Sequence, residues 1–319
     1  MKEYSYPFQT NAVDKRSNLS LQEFLDVYDG KWPVIVTDII PNWPAYRWTK
    51  KYFIENYPDS QVFVSINGKS GSVSKLSAFL QQLDQANQTF WSYLQDELFL
   101  LQHPELSSQL LTMMYTRENF FSLFPEEIRP WDCLLLWGTA FSRSTLHIDP
   151  YNWTGTNAVL SGAKKWKLIL PGQDRYLSVK PDQDCGFPLD CKKYNSALDL
   201  FSNEDEANEV LTQVKHLEVV QLAGELLFIP TGWFHQALNV EPTLAVSGQV
   251  MNVHNYLPVL EEILKGGGLS RSDLPDNMET LTPMELVQAA ISKVSVETLR
   301  RGSHITQKVL EYVNKVQNK

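Results

Sequence analysis

Gly224-Glu225-Leu226-Leu227-Phe228-Ile229-Pro230-Thr231-Gly232-Trp233-Phe234-His235 reads as a hydrophobic strand, a turn, and the start of a second strand. Pro230 and Gly232 end the first run, because neither continues a strand interior well. Similar short apolar or alternating runs recur at 133–137, 156–160, 165–170, 217–222, 225–229, 235–240 and 243–250, separated by Gly, Pro and Asn. Repeated short strands at such spacing predict a barrel or sandwich between Cys133 and Val250.

Outside that stretch the pattern changes. Ser20-Leu21-Gln22-Glu23 has capping-box form, and Leu21, Phe24, Leu25 and Tyr28 follow at helical spacing until Asp29-Gly30. The runs at 33–37 and 61–66 predict strands, and Asn67-Gly68 is a strong hairpin-turn signal. Two brief helices are predicted at 52–57 and 75–84. The region 172–216 carries few strand signals but holds Cys185, Cys191 and the acidic cluster Glu204-Asp205-Glu206, which predicts a long, lid-like loop. Gly266-Gly267-Gly268 closes a helical stretch at 256–265, and Thr282-Pro283-Met284-Glu285 opens further helices with a second capping box. The division expected is a mixed α and β region at 1–130 packed on the barrel, a β core at 131–255 and a helical region at 256–319. No internal repeat or low-complexity segment interrupts it.

The 319 residues are 43% apolar and 12% aromatic, enough for a sizeable core and, at this length, for one core with a smaller appendage. A net charge of -9 disfavours a phosphate-tracking nucleic-acid surface, which needs clustered Lys and Arg. Met1 to Pro7 lacks the apolar region of a signal peptide, and no uncharged stretch is long enough to span a bilayer, so a cytoplasmic protein is expected, with a nuclear location left open. Sequons at Asn18, Asn87 and Asn152 carry little meaning in that setting. Cys133, Cys185 and Cys191, without C-x-x-C spacing, predict reduced thiols. Gly68-Lys69-Ser70 has Phe63 where a phosphate loop needs its first Gly, and no Gly-x-Ser-x-Gly elbow occurs.

His147-Ile148-Asp149 is the other segment that matters. Residues two apart on a strand share a face, so His147 and Asp149 can converge on one ion while Ile148 points away. His235, at the start of its strand, can meet them in the barrel mouth. Two imidazoles and a carboxylate on one face of an octahedral metal are the arrangement of non-haem Fe(II) oxygenases. Alone, an H-x-D pair is weak, and His235 could equally be a packed histidine bonded to a backbone carbonyl. On local grounds the two readings balance.

The wider pattern decides between them. His147-Ile148-Asp149-Pro150, the run from Gly155 through Asn157 and Lys164 to Pro171, and Gly224 to His235 with Asn239 beyond resemble the Jumonji-C family of Fe(II) and 2-oxoglutarate oxygenases. The resemblance is closest to the phosphatidylserine-receptor-like lysyl hydroxylase branch. It is dense from about Trp131 to Val250 and weaker from Trp32 to Asp96.

The resemblance implies a mainly β fold with flanking helices: a double-stranded β-helix of jelly-roll or cupin type, with a C-terminal helical appendage. It implies Fe(II) on His147, Asp149 and His235, and the distal carboxylate of 2-oxoglutarate on Lys164. Alone, Lys164 would read as a solvated turn lysine like Lys165 or Lys167. Asn157 would approach the chelating end of the cosubstrate, Tyr93 and Ser247 would bond its far carboxylate, and Ser144 would lie near it. Relatives tend to carry Thr at the Ser144 and Ser247 positions, a change that keeps the hydroxyl. Trp153 has no counterpart to carry over and reads as a cover on the barrel or a wall of the substrate mouth.

The activity implied is hydroxylation of a protein or peptide side chain with O2 as oxidant. Demethylation of Lys or Arg through the same chemistry is the alternative, and a metal-binding cupin-like module without turnover is the third reading. The lysine-rich and poly-Ser segments of some nuclear relatives are absent. Leu286, Ala289, Ala290, Val294, Leu299, Ile305, Val309 and Val313 form apolar stripes that suit either a homodimer or packing on the chain's own barrel.

Overall fold

Fifteen strands organise the residues described by the computed structural model, 12–182, 193–266, 270–275 and 277–317. In chain order they are β1 (Asp14–Arg16), β2 (Val34–Val36), β3 (Gln61–Ile66), β4 (Lys69–Lys75), β5 (Ser92–Asp96), β6 (Cys133–Gly138), β7 (Leu146–Ile148) and β8 (Thr154–Ser161). They continue with β9 (Ala163–Ile169), β10 (Val179–Asp182), β11 (Lys193–Ser196), β12 (His216–Leu222), β13 (Leu226–Ile229), β14 (Phe234–Asn239) and β15 (Thr243–Val250). The larger sheet runs β1-β2-β13-β8-β15-β6-β5-β3-β4 and the smaller β10-β11-β7-β14-β9-β12. Within them, the antiparallel sets β13-β8-β15-β6 and β7-β14-β9-β12 supply four strands each, the eight-strand plan of a jelly roll. Ala158, Leu160 and Val246 from one set share a core with Trp166, Leu168 and Ala237 from the other.

The N-terminal part completes the larger sheet. Val34, Ile35 and Val36 are fully buried, as expected of a short β-branched run covered on both faces. This strand pairs antiparallel with β13 and parallel with β1. On the opposite edge β5 joins β6, and the β3–β4 hairpin turns through Asn67 and Gly68, both left-handed at φ 51 and 69. The strand β5 is not evident from its residues, because Ser92 and Asp96 break the apolar pattern. Both are buried, and Asp96 accepts the backbone N–H groups of Phe63, Leu98 and Phe99.

Ser20 caps its helix by accepting the Glu23 N–H, but the Glu23 carboxylate pairs with Arg16 at 2.6 Å. The chain then widens over Phe24–Tyr28, with the Asp29 N–H donating to the Phe24 carbonyl five residues back. The brief helices appear as Lys50–Asn56 and Leu76–Gln81.

The long-loop expectation for 172–216 needs correction. Strands β10 and β11 pair with each other, and β11 lies along β7 with Asn195 opposite His147. Glu204, Asp205 and Glu206 start the helix Asp205–Gln213, where carboxylates meet the positive end of the helix dipole. Four-residue strands with Lys, Asn and Ser among them leave no periodic signal to read. Cys185 and Cys191 lie outside the described residues, while Cys133 is a free thiol.

Thr282 and Glu285 form the second capping box, and Pro283 opens its helix. Leu286, Val287 and Ala290 are buried against Phe120, Phe121, Phe124, Val259 and Leu260, so this part of the apolar stripe docks on its own chain. Val294 and Leu299 pack on the same cluster, and Ala289 is half-buried. The side chains of Ile305, Val309 and Val313 lie outside the described residues. Among the described residues, no helix is long and apolar enough to cross a membrane.

Because β2 is buried within the larger sheet, Ile35→Ala is expected to lower stability by about 2–5 kcal/mol. Equilibrium urea unfolding checks this, and a loss below about 0.5 kcal/mol, the scale of a surface substitution, would remove β2 from the cooperative core.

Candidate active site

His147 on β7 and His235 on β14 are direct cross-strand partners, with ring centroids 4.4 Å apart. Asp149 follows β7 in extended backbone, φ -56 and ψ 147, so its side chain returns to the face of His147. Each ring uses Nδ1 on a carbonyl two residues back: His147 on Thr145 at 2.8 Å, and His235 on Trp233 at 2.9 Å. A carbonyl only accepts, so Nδ1 carries the proton in both neutral rings and each Nε2 presents a lone pair. Those two nitrogens lie 3.7 and 3.6 Å from Asp149 Oδ1.

Three lone-pair atoms facing one another without a proton between them repel, and a cation among them removes the repulsion. Among the described residues, this is the group of His, Cys, Asp or Glu whose ligand atoms all lie within 4.8 Å of one another. The donor set, two neutral imidazoles and a carboxylate, suits a divalent first-row metal and leaves coordination positions open. Burial, with His147 adjacent, pushes the His235 pKa down to about 4, so its ring stays neutral at physiological pH. Burial alone would raise the Asp149 pKa, but the positive charge that His235 and His147 carry when protonated, with a hydrogen bond from Trp153, outweighs it and holds the carboxyl below its ordinary range.

Behind the triad is a chamber of about 70 Å³. All eight residues singled out by sequence line it: His147, Asp149, His235, Lys164, Asn157, Tyr93, Ser144 and Ser247. Lys164 comes from β9, on the same face as the apolar Trp166 and Leu168, and is 1% exposed. Its Nζ donates to the Tyr93 hydroxyl at 3.2 Å and lies 5.7 Å from the Tyr93 and Trp166 ring centres. No ion pair reaches it among the described residues, and burial pushes its pKa down to about 7. An ammonium held this way calls for an anion. Asn157 Oδ1 is buried without a partner. Ser144 Oγ accepts the Ala237 N–H at 3.0 Å, while Ser247 Oγ donates to the Thr156 carbonyl at 3.0 Å. Ser144 therefore keeps a proton to donate, and Ser247 keeps only lone pairs unless its hydroxyl turns.

In front of the triad a cleft of about 470 Å³ opens between Gln95, Glu97, Arg143, Asn195, Trp131 and Gln249. Two contributors escaped the sequence reading. Asn195 arrives on β11, where its Oδ1 accepts from Thr145 Oγ1 at 3.2 Å. Gly155 lies so close to Asp149 that a Cβ there would sit 2.0 Å from Oδ2. The signal for Gly155 was its place in the run that follows the H-x-D pair, and nothing local marked Asn195. Trp153 does more than cover the barrel, since it touches both the cleft and the Asp149 carboxylate.

A jelly roll with a half-buried two-histidine, one-carboxylate cluster at its mouth defines a metal-binding cupin. The chain belongs to the cupin-like domain family, whose sequence profile matches residues 20–248. It is 28% identical over 258 residues to a lysine-specific demethylase of Arabidopsis thaliana, covering 79% of this chain and 26% of that one. A bifunctional arginine demethylase and lysyl-hydroxylase of Caenorhabditis elegans is 26% identical over 258 residues, covering 78% of this chain and 63% of its own. A 2-oxoglutarate and iron-dependent oxygenase of Danio rerio is 30% identical over 120 residues, 38% of this chain and 25% of that one. The chain thus spans less than two thirds of the length of each of these relatives. They bear out the Jumonji-C resemblance.

The buried Lys164 has a consequence for stability. In the fold it is charged only below about 7, whereas its ordinary value is 10.5, so between these pH values the unfolded chain binds the extra proton. Stability of the ligand-free protein therefore rises with pH across this window, the burial penalty being complete below it and relieved above it. Urea midpoints measured from pH 7 to pH 10 are expected to rise more steeply in wild type than in Lys164→Met. Parallel slopes would show that Lys164 titrates normally.

Proposed function

We propose that this chain is an Fe(II)- and 2-oxoglutarate-dependent dioxygenase that hydroxylates a protein side chain. The observation that carries the reading is the convergence of two unprotonated Nε2 atoms and Asp149 Oδ1 beside a buried ammonium with no anion of its own. His147, Asp149 and His235 would hold the iron, and Lys164 the distal carboxylate of the cosubstrate. Iron, 2-oxoglutarate and O2 together supply the oxidising power for an aliphatic C–H bond.

The chain's own part is binding, orientation and exclusion of water. A bound dicarboxylate would return Lys164 to full charge, and the Tyr93 hydroxyl, already its neighbour, can donate to the same carboxylate. Ser144 has a proton for that carboxylate, while Ser247 must first release the Thr156 carbonyl. Asn157 would donate its amide N–H to the chelating end. Trp166, Ile229 and Ala237 give the chamber apolar walls that keep water from the reacting centre. No side chain is needed as a general base.

The outer cleft, with Glu97 and Gln95 on its rim, is roomy enough for an extended side chain on a protein partner. Demethylation is the second reading, favoured by the names of the Arabidopsis and Caenorhabditis relatives. We place the protein in the cytoplasm, with a nuclear location as the alternative. We also propose homodimerisation through the C-terminal helices, which a monomer mass by light scattering at micromolar concentration would dismiss.

The deciding experiment incubates the protein with iron, 2-oxoglutarate and a peptide array, then follows succinate and peptide mass. Gain of one oxygen marks hydroxylation, and loss of a methylene as formaldehyde marks demethylation. Lys164→Ala is expected to weaken 2-oxoglutarate binding roughly a hundredfold, the scale of ~3 kcal/mol for breaking a buried charge pair. Iron-loaded protein that turns over no 2-oxoglutarate with any peptide would favour the non-catalytic metal-binding module.

A further inference from the structure

The turn after Asp149 has an unusual backbone. Tyr151 and Asn152 are both left-handed, at φ 52 and 57, a conformation that Asn tolerates and Tyr rarely adopts. Long-range contacts hold it there. The Tyr151 and Trp153 rings are buried in the helix-lined cluster with Phe121, and Trp153 meets Phe121 edge-on at 5.9 Å and 90°. Asn152 Oδ1 accepts the backbone N–H of Gly232 at 2.7 Å across a separation of 80 residues, and the Asn152 N–H donates to the Asp149 carbonyl at 2.9 Å.

Both contacts lead to the metal candidates. Gly232 precedes Trp233, whose carbonyl receives the His235 Nδ1–H. The indole N–H is the one polar group of Trp153, and it is spent on the Asp149 carboxylate. The two oxygens of that carboxylate are not equivalent. Oδ1 faces both Nε2 atoms, while Oδ2 is turned against Gly155, where a Cβ would sit 2.0 Å away.

We propose that Trp153 and Asn152 are positioning residues for the metal centre: Trp153 holds the Asp149 carboxylate with one oxygen toward the metal, and Asn152 ties the Asp149 turn to the segment that delivers His235. A carboxylate held to one oxygen leaves an extra coordination position free for a chelating cosubstrate. This inference rests on the metal reading of the triad given above.

The test titrates metal-free, full-length protein with Co(II), recording the dissociation constant and the visible absorption bands of the bound ion, alongside thermal unfolding without metal. Trp153→Phe keeps a ring in the cluster and removes the N–H. Its Co(II) affinity is expected to fall roughly tenfold to a hundredfold, the usual effect of losing a partner of a metal ligand, with altered absorption bands. Asn152→Gly keeps the left-handed turn and removes the amide, and is expected to weaken Co(II) binding in the same direction. Asn152→Asp restores an acceptor for the Gly232 N–H and should bring back the affinity and the wild-type bands. Unchanged affinity and bands in folded Trp153→Phe overturn the role of Trp153, and the same result in Asn152→Gly overturns that of Asn152. If Trp153→Phe does not fold, the Asn152 pair decides the question. Wild-type protein that binds no Co(II) would bring down the metal reading itself, whereas normal wild-type binding with indifferent variants would bring down only the positioning roles.

Discussion

His147 and His235 face each other because β7 and β14 pair in one particular register. Side chains alternate along a strand, so a slip of one residue would turn either imidazole to the opposite face of the smaller sheet. The neighbouring pairings guard against such a slip. Strand β14 is held along its length by β9, and β9 in turn by β12, so the position of His235 is shared across three strands. Asp149 has no ladder of its own, and its placement depends on the turn beyond β7.

The interior trades stability for a ligand-ready surface. A lysine ammonium among Tyr93 and Trp166 rings, an unpartnered Asn157 amide oxygen and three facing lone pairs are each unfavourable in a well-packed core. They occur together around one small chamber, while the surrounding strands are satisfied and apolar. Such concentrated polar strain is what a protein shows where it is built to receive charge.

Much of this was legible in the chain. Short runs bounded by Gly, Pro and Asn gave away β6, β8, β9 and the strands from β12 to β15, and period-two spacing put His147 and Asp149 on one face. The choice of Lys164 over Lys165 and Lys167 came from family resemblance, yet the strand itself separates them. Lys164 alternates inward with Trp166 and Leu168, while Lys165 and Lys167 turn to the opposite face and approach Glu218 at 3.2 and 3.5 Å. What could not be read depended on distant partners. Asp96 hides β5 because its burial depends on Phe63 of β3 as well as on the Leu98 and Phe99 N–H groups that follow it, and Asn195 acquires meaning only when β11 lies along β7. Trp153 looked like a cover because its bond to Asp149 is made by a turn whose backbone no local rule predicts.

The placement of β11 has one more consequence. In a bare eight-strand jelly roll β7 would end its sheet, leaving the row of backbone donors and acceptors beside His147 open to any passing chain. Strand β11 occupies that row, and β10 becomes the outermost strand instead. A shortened protein lacking the 172–216 excursion would therefore carry a self-association hazard at the very strand that bears His147 and leads into Asp149.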